Sequence, residues 1–265
     1  MGQLSGFDVA RPVIAMIHVG ALPGTPRAAL SMAELEDAVR AEAAMYAAGG
    51  VHGIILENMH DLPYVKGAVG PEITAAMTRL CLAAKAESGL PLGLQILAGA
   101  NIEAVAVAHA AGCQWVRVEG YVFAHVADEG IIESSAGVVL RYRRMIGAEA
   151  VQVWADIKKK HSAHAITADV SLAETAHTAE FMRADAVIVT GVATGQEPLV
   201  ADLAEAQGAT SLPVVLGSGI TPENIGRYAA ADGYIIGSYF KQGGQWFNPP
   251  DATRVARLLA AWAGE

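Results

Sequence analysis

The chain has 265 residues, 53% of them hydrophobic, with 18 basic against 27 acidic side chains and a formal charge of −9. That length fits one large α/β domain able to bury a sizeable core without disulfide staples, and the acidic balance excludes a general affinity for nucleic acid phosphates. Mean hydropathy is +0.33, yet charge, Pro or Gly interrupts every apolar stretch before the roughly 18 residues that a membrane span needs.

Residues Met1 to Arg11 lack the basic start and apolar core of a secretory signal. From there, short β-branched runs alternate with longer Ala-rich ones. Strands are expected at Val13–His18, His52–Glu57, Leu92–Leu97, Trp115–Glu119, Val151–Asp156, Ala186–Thr190, Pro213–Gly217 and Gly233–Gly237. Helices are expected between them at Met32–Ala48, Pro71–Ser88, Ile102–Ala111, Ala136–Ile146, Leu172–Met182, Leu199–Gln207, Pro222–Ala230 and Ala252–Ala263. The strands are nearly continuous apolar runs, as when both faces are covered. Ser31, Asn101 and Ser171 read as N-caps, and Thr221-Pro222-Glu223 sets Pro in a first helical turn. Cys81 and Cys113 read as buried thiols in a reducing cytosol.

Eight strand–helix units over residues 1–265 predict a single closed parallel (β/α)8 barrel, a TIM barrel. An open doubly wound sheet would carry a Gly-rich phosphate turn after its first strand. Here that strand is followed by His18-Val19-Gly20-Ala21-Leu22-Pro23-Gly24, which has no such fingerprint.

Chemistry in a parallel barrel sits at the C-terminal strand ends. Side chains alternate with period two, so setting His18, Glu57, Gln95, Arg117, Glu119 and Asp156 inward places Ile14, Met16, Ile55, Trp115 and Trp154 beneath them as lumen filling. Facing the helices instead, the polar groups would lie in an apolar layer. A purely structural ring, with Arg117 bridging Glu57 and Glu119, is the competing reading. Beyond the fifth strand, Asp156, Lys158 and Lys160 share one side if the strand continues. Asp156 with Lys158 then suits proton transfer, or a Schiff base on the lysine, while Lys159 is expected in solvent. The run Gly217-Ser218-Gly219 ahead of a helix and the pair Gly237-Ser238 after the eighth strand form the usual phosphate grip of barrel enzymes. Lys241 offers either a point charge there or a solvated side chain.

No cofactor motif is evident. A divalent metal near His18, Glu57, Glu119 and Asp156 is compatible with the residues, but no spacing fixes a ligand set. His60 and Asp61 belong to a loop after the second strand that suits a lid, a subunit contact or a surface turn. His109, His125 and His177 are expected without chemical duty.

Three segments carry a resemblance: Met16-Ile17-His18-Val19-Gly20-Ala21-Leu22-Pro23-Gly24-Thr25-Pro26, Glu57-Asn58-Met59-His60-Asp61-Leu62-Pro63-Tyr64, and Ala155-Asp156-Ile157-Lys158-Lys159-Lys160-His161-Ser162. They resemble, in order along nearly the whole chain, the signatures of the BtpA family, named for a part in biogenesis of a photosynthetic membrane complex. Asp128-Glu129-Gly130-Ile131-Ile132-Glu133 keeps the acidic character of that family's loop after the fourth strand, whereas Gln95-Ile96-Leu97-Ala98-Gly99-Ala100-Asn101 is less polar than its counterpart. The resemblance implies a phosphate-binding type of TIM barrel.

The sequence thus predicts a cytoplasmic enzyme acting on a small phosphorylated ligand, a sugar phosphate or nucleoside-like compound, by acid–base isomerisation or bond cleavage. Asp156, Lys158, Glu57, Glu119 and His18 are the candidate catalytic groups. Gly217, Ser218, Gly219, Gly237, Ser238, Arg117 and Gln95 are the candidate substrate or phosphate contacts. No nucleic acid or membrane partner is expected, and a homo-oligomer is compatible with the chain. The other class of reading is a non-catalytic assembly factor that binds a metabolite or protein at the barrel mouth.

Overall fold

The structure is a computed structural model describing residues 3–159, 161–191 and 195–264. Among them the strands are β1 (Val13–His18), β2 (Gly53–Glu57), β3 (Leu92–Gln95), β4 (Trp115–Val118), β5 (His125–Ala127), β6 (Gly130–Ile132), β7 (Gln152–Ile157), β8 (Ala186–Val189), β9 (Val214–Leu216) and β10 (Gly233–Ile236). The helices are α1 (Met32–Gly49), α2 (Pro71–Ser88), α3 (Asn101–Ala111), α4 (Ala136–Met145), α5 (Leu172–Phe181), α6 (Val200–Ala209) and α7 (Ala252–Ala263). Eight parallel strands close in the order β1-β10-β9-β8-β7-β4-β3-β2, giving the expected (β/α)8 barrel.

Two apolar clusters separate on the parity of the strands. Val13, Ala15 and Ile17 of β1 face the helix layer, and Ile14 and Met16 face the lumen. The lumen is filled by Ile55, Trp115, Trp154, Ala186, Ile188, Val215 and Ile235, with Leu4 and Phe7 closing its floor. Trp115 and Trp154 stack with centroids 4.6 Å apart and planes 11° from parallel, and Phe7 leans on Trp115 at 5.5 Å. A Cβ on Gly93 would stand 2.1 Å from the Trp115 indole, so β3 must present glycine where this ring passes.

Helix ends follow local chemistry. Ser31 and Glu34 form a reciprocal capping box at α1, and Ser171 caps α5. Asn101 is not a cap: it is the first residue of α3, buried, and its Nδ2 donates to Glu119 O (2.8 Å) and Ser135 Oγ (3.0 Å), tying α3 to the end of β4. The helix expected over Pro222–Ala230 is a single 3₁₀ turn, Ile225–Tyr228. Asn224 closes the chain there, accepting from Thr221 N–H (2.8 Å) and donating to Gly219 O (2.9 Å) and Glu197 Oε2 (2.7 Å).

An antiparallel hairpin, β5–β6, stands between β4 and α4. The chain ends are tied as well. β1 pairs with both β2 and β10, Trp262 Nε1 donates to Arg11 O at 2.9 Å, and the Trp262 ring lies 4.5 Å from that of His52. Both cysteines are buried and free. Among the described residues no helix is long and apolar enough to cross a membrane.

Candidate active site at the barrel mouth

The lumen parity continues upward into polar groups. Above Met16 comes His18, above Ile55 comes Glu57, above Trp115 come Arg117 and Glu119, and above Trp154 comes Asp156. Glu57, Arg117, Glu119 and Asp156 line one cavity of about 310 Å³. His18 Nε2 lies 3.9 Å from Glu57 Oε2, and Gln95 Nε2 donates to Glu119 Oε1 at 3.1 Å. The six residues aligned by alternation are therefore brought together at one end of the barrel.

Their pairing differs from the sequence expectation. Arg117 does not bridge Glu57 and Glu119; its Nε and Nη2 donate to the two oxygens of Asp156, at 3.0 and 3.1 Å, with both side chains buried. Burial alone would lower the guanidinium's proton affinity, but Asp156, Glu57 and Glu119 around it raise it above its ordinary value. Lys158 lines a small recess with Asp156 but is not its ion-pair partner, which is Arg117. The Lys158 backbone adopts the left-handed region, with φ 48°, and its Nζ donates to Thr167 O at 3.2 Å. Alternation presumes extended backbone, and this one residue breaks it. Lys159, expected in solvent, consequently turns inward and sets its Nζ 2.9 Å from Glu119 Oε2. Burial acts to lower its pKa, but Glu119 first and then Asp156 and Glu129 hold it above the ordinary lysine value. A lysine so held stays an ammonium at neutral pH, suited to stabilising negative charge and unsuited to Schiff-base attack. Lys160 lies outside the described residues. His125, on β5, is buried, with an Nε2 that has no hydrogen-bond partner among the described residues. Burial, then Lys159 and His164 nearby, push its pKa down to about 4.

A second cavity, about 170 Å³, opens between the ends of β9 and β10 and shares Glu57, Met59 and Arg117 with the first. Gly217, Ser218, Gly219, Gly237 and Ser238 line it. Gly219 has φ +71° and a Cβ there would lie 2.2 Å from Gln196 C and Glu197 N, so only glycine fits. Ser218 Oγ accepts from Gly195 N–H at 3.1 Å. The long helix expected behind these glycines is absent, so little macrodipole reaches them. Positive charge comes instead from Arg254 in the first turn of α7, whose guanidinium lies 4.2 Å over the Tyr239 ring and whose Nε donates to Tyr239 O. Neither Lys241 expectation holds: the side chain is buried away from this cavity and paired with Glu42.

The rim comes from loops. Met59, Leu62, Tyr64, Leu97 and Trp246 line the larger cavity together with Asp128 and Glu129 from the β5–β6 turn. The loop after β2 is pinned, since Asp61 accepts from Leu22 N–H and from Asn58 Nδ2, each at 2.8 Å. His18 Nδ1 donates to Trp246 O at 2.9 Å, and the His60 ring lies 4.9 Å from the Trp246 ring. Among the described residues no three His, Cys, Asp or Glu groups are arranged to hold a metal ion; Arg117 and Lys159 already engage two of the carboxylates proposed from sequence.

Residues 9–264 match the model of the BtpA family. The chain belongs to that family. Among BtpA relatives, an uncharacterised mitochondrial protein of Caenorhabditis elegans is 46% identical over 259 residues, covering 96% of this chain and 94% of the relative. The photosystem I biogenesis protein BtpA of Synechocystis is 34% identical over 265 residues, covering 99% and 92%. Among solved structures, a thiamine phosphate pyrophosphorylase from Pyrococcus furiosus superposes with a TM-score of 0.57 at 15% identity, covering 96% of each chain. Phosphoribosyl anthranilate isomerase from Thermus thermophilus gives 0.56 at 14%, covering 96% and 98%. These two likenesses establish that this BtpA chain shares their barrel fold.

Arg254, Lys159 and Trp246 belong to this BtpA site without having been singled out as site residues from sequence. Arg254 and Trp246 come from segments far from the strand ends they meet. Lys159 had a signal, its place in the family-like segment, but the phase was set by extended alternation.

Proposed function

We propose that the chain is an enzyme acting on a phosphorylated small molecule, whose phosphate binds between the ends of β9 and β10 and whose reacting part lies over Glu57, Glu119 and Lys159. The observation that carries this reading is the adjacency of the two cavities: a glycine-walled recess beside Arg254 shares Glu57, Met59 and Arg117 with the cavity that holds a carboxylate–ammonium pair. Backbone N–H groups of Ser218, Gly219 and Ser238 and the Arg254 guanidinium suit an anion. Glu57, which lines both cavities, serves as base, and the Lys159 ammonium stabilises the group that develops negative charge. Gln95 fixes the Glu119 carboxylate, Asp156 fixes Arg117, and His18 orients the substrate beside Glu57. Proton transfer of this kind supports isomerisation, epimerisation or cleavage of a C–C or C–N bond.

Titration with inorganic phosphate tests the anion site. Binding raises the melting temperature, with about 2.7 kcal/mol of stabilisation at a hundredfold excess over Kd. Gly219→Val removes that rise; an undiminished rise in the variant would refute the site. Turnover on a panel of phosphate esters then tests the chemistry.

A second reading, an assembly factor, is favoured by the Synechocystis relative's name and by Val126 and Ile131, which stand exposed on the hairpin beside the mouth. It predicts no turnover on any ester, and partner binding that Ile131→Asp abolishes while Lys159→Met leaves it intact.

A further inference from the structure

The larger cavity has a lopsided lining. One part is apolar and broad: Met59, Leu62, Tyr64, Leu97 and Trp246. The rest is dominated by carboxylates, with Glu57, Glu119, Asp128, Glu129 and Asp156 against the cations Arg117 and Lys159 and the His161 imidazole. Arg117 is committed to Asp156 and Lys159 to Glu119. Glu129 Oε2 is withdrawn from solvent and has no hydrogen-bond partner among the described residues, and burial, ahead of its neighbours Asp128 and Glu119, pushes its carboxyl above the usual range.

Resting on the phosphate site proposed above, this lining selects what the other end of the substrate must be. A second anionic group, whether carboxylate or phosphate, would face five carboxylates, with Arg117 and Lys159 already engaged by two of them. An open polyhydroxylated chain would accept the carboxylates as partners but leave the apolar wall in contact with polar groups. A planar ring with N–H donors on its edge satisfies both parts. Its faces cover Trp246, Tyr64 and Leu97 while its edge donates to Glu129 and its neighbours. Trp246 is held for that purpose, with its carbonyl on His18 and its ring against His60. We infer that the substrate is a phosphate ester whose far end is a nitrogen heterocycle, stacked at Trp246 and hydrogen-bonded to the carboxylates of the β5–β6 turn.

The test is calorimetry on the intact chain with inorganic phosphate, ribose 5-phosphate and the 5′-monophosphates of adenosine, guanosine, cytidine and uridine. At least one nucleoside monophosphate is expected to bind tenfold or more tighter than ribose 5-phosphate, the increment that stacking of one base supplies. Trp246→Leu should remove that increment and leave the affinity for inorganic phosphate unchanged. Trp246→Phe keeps a stacking face, so it should retain most of the increment. Equal affinity for ribose 5-phosphate and all four nucleotides, or an increment that survives Trp246→Leu, overturns the heterocycle while leaving the phosphate site standing. Absence of binding by phosphate and by every ester overturns both.

Discussion

Lys159 Nζ stands 2.9 Å from Glu119 Oε2 across the join between β4 and β7, with both side chains almost withdrawn from solvent. The pair places a retained ammonium at the base of the mouth, where substrate rather than water would complete its hydrogen bonds. Its neighbour in sequence points away, to Thr167 O. Adjacent lysines therefore offer a matched comparison.

Lys159→Met should lower kcat at least a hundredfold on a phosphate ester found by screening, as expected when a cation that stabilises developing negative charge is removed. Lys158→Met should leave kcat within about threefold. Steady-state kinetics on the two variants checks this, and equal losses would reduce the cluster to a diffuse electrostatic effect.

Asp156 answers for stability as well as position. Replacing it by Asn strands the buried Arg117 guanidinium, and the expected loss is about 3 kcal/mol, the lower end for breaking a buried pair, because Glu57 and Glu119 remain near it. Urea denaturation measures the loss. The double change Arg117→Met with Asp156→Leu should recover part of it, which identifies the pair rather than either residue as the cause.

Arg254→Met should weaken phosphate binding about tenfold or more, by removing the cationic side chain that lines the recess. Melting curves at several phosphate concentrations report this directly. Unliganded stability should change by less than about 1 kcal/mol, since the guanidinium loses a stacking contact and one carbonyl bond at a half-exposed site.

Gly93→Ala should destabilise the barrel by at least about 2 kcal/mol, because the new methyl carbon falls 2.1 Å from an indole that is itself stacked and cannot retreat. Near-ultraviolet circular dichroism of the stacked tryptophans should change in parallel.

Acid should weaken the fold through His125. Its folded-state pKa near 4 lies below the ordinary 6.5, so the unfolded chain takes up a proton that the folded chain refuses. Stability contributed by the neutral ring is complete above pH 6.5 and is lost as the pH falls toward 4. His125→Leu should flatten that part of the pH profile in urea denaturation; an unchanged slope would assign it to other groups.

The parity of the strands was legible because Ile14, Met16, Ile55, Trp115 and Trp154 could be phased against His18, Glu57, Arg117 and Asp156 by a period of two alone. That rule ends where extended backbone ends. A single left-handed residue at Lys158 exchanged the roles of two lysines, and no propensity marks a lysine for that conformation. Asp128 to Glu133 read only as an acidic loop after the fourth strand, because strands of three residues are too short for alternation to identify. Trp246 and Arg254 reach the mouth only through tertiary packing of the last segments. Side chains fixed by strand geometry could be placed in advance, and those fixed by loop closure could not.

The seam where β1 meets β10, reinforced by Trp262 on Arg11, sets a schedule for biosynthesis. Residues 13–15 leave the ribosome long before their pairing partners, 234–236, are made. Until then the nascent chain holds an unsatisfied strand edge and an open apolar interior, a state that favours chaperone capture over local completion. The anion recess beside β10 is finished in the same closing event, so binding competence and escape from aggregation arrive together, once β10 has been made.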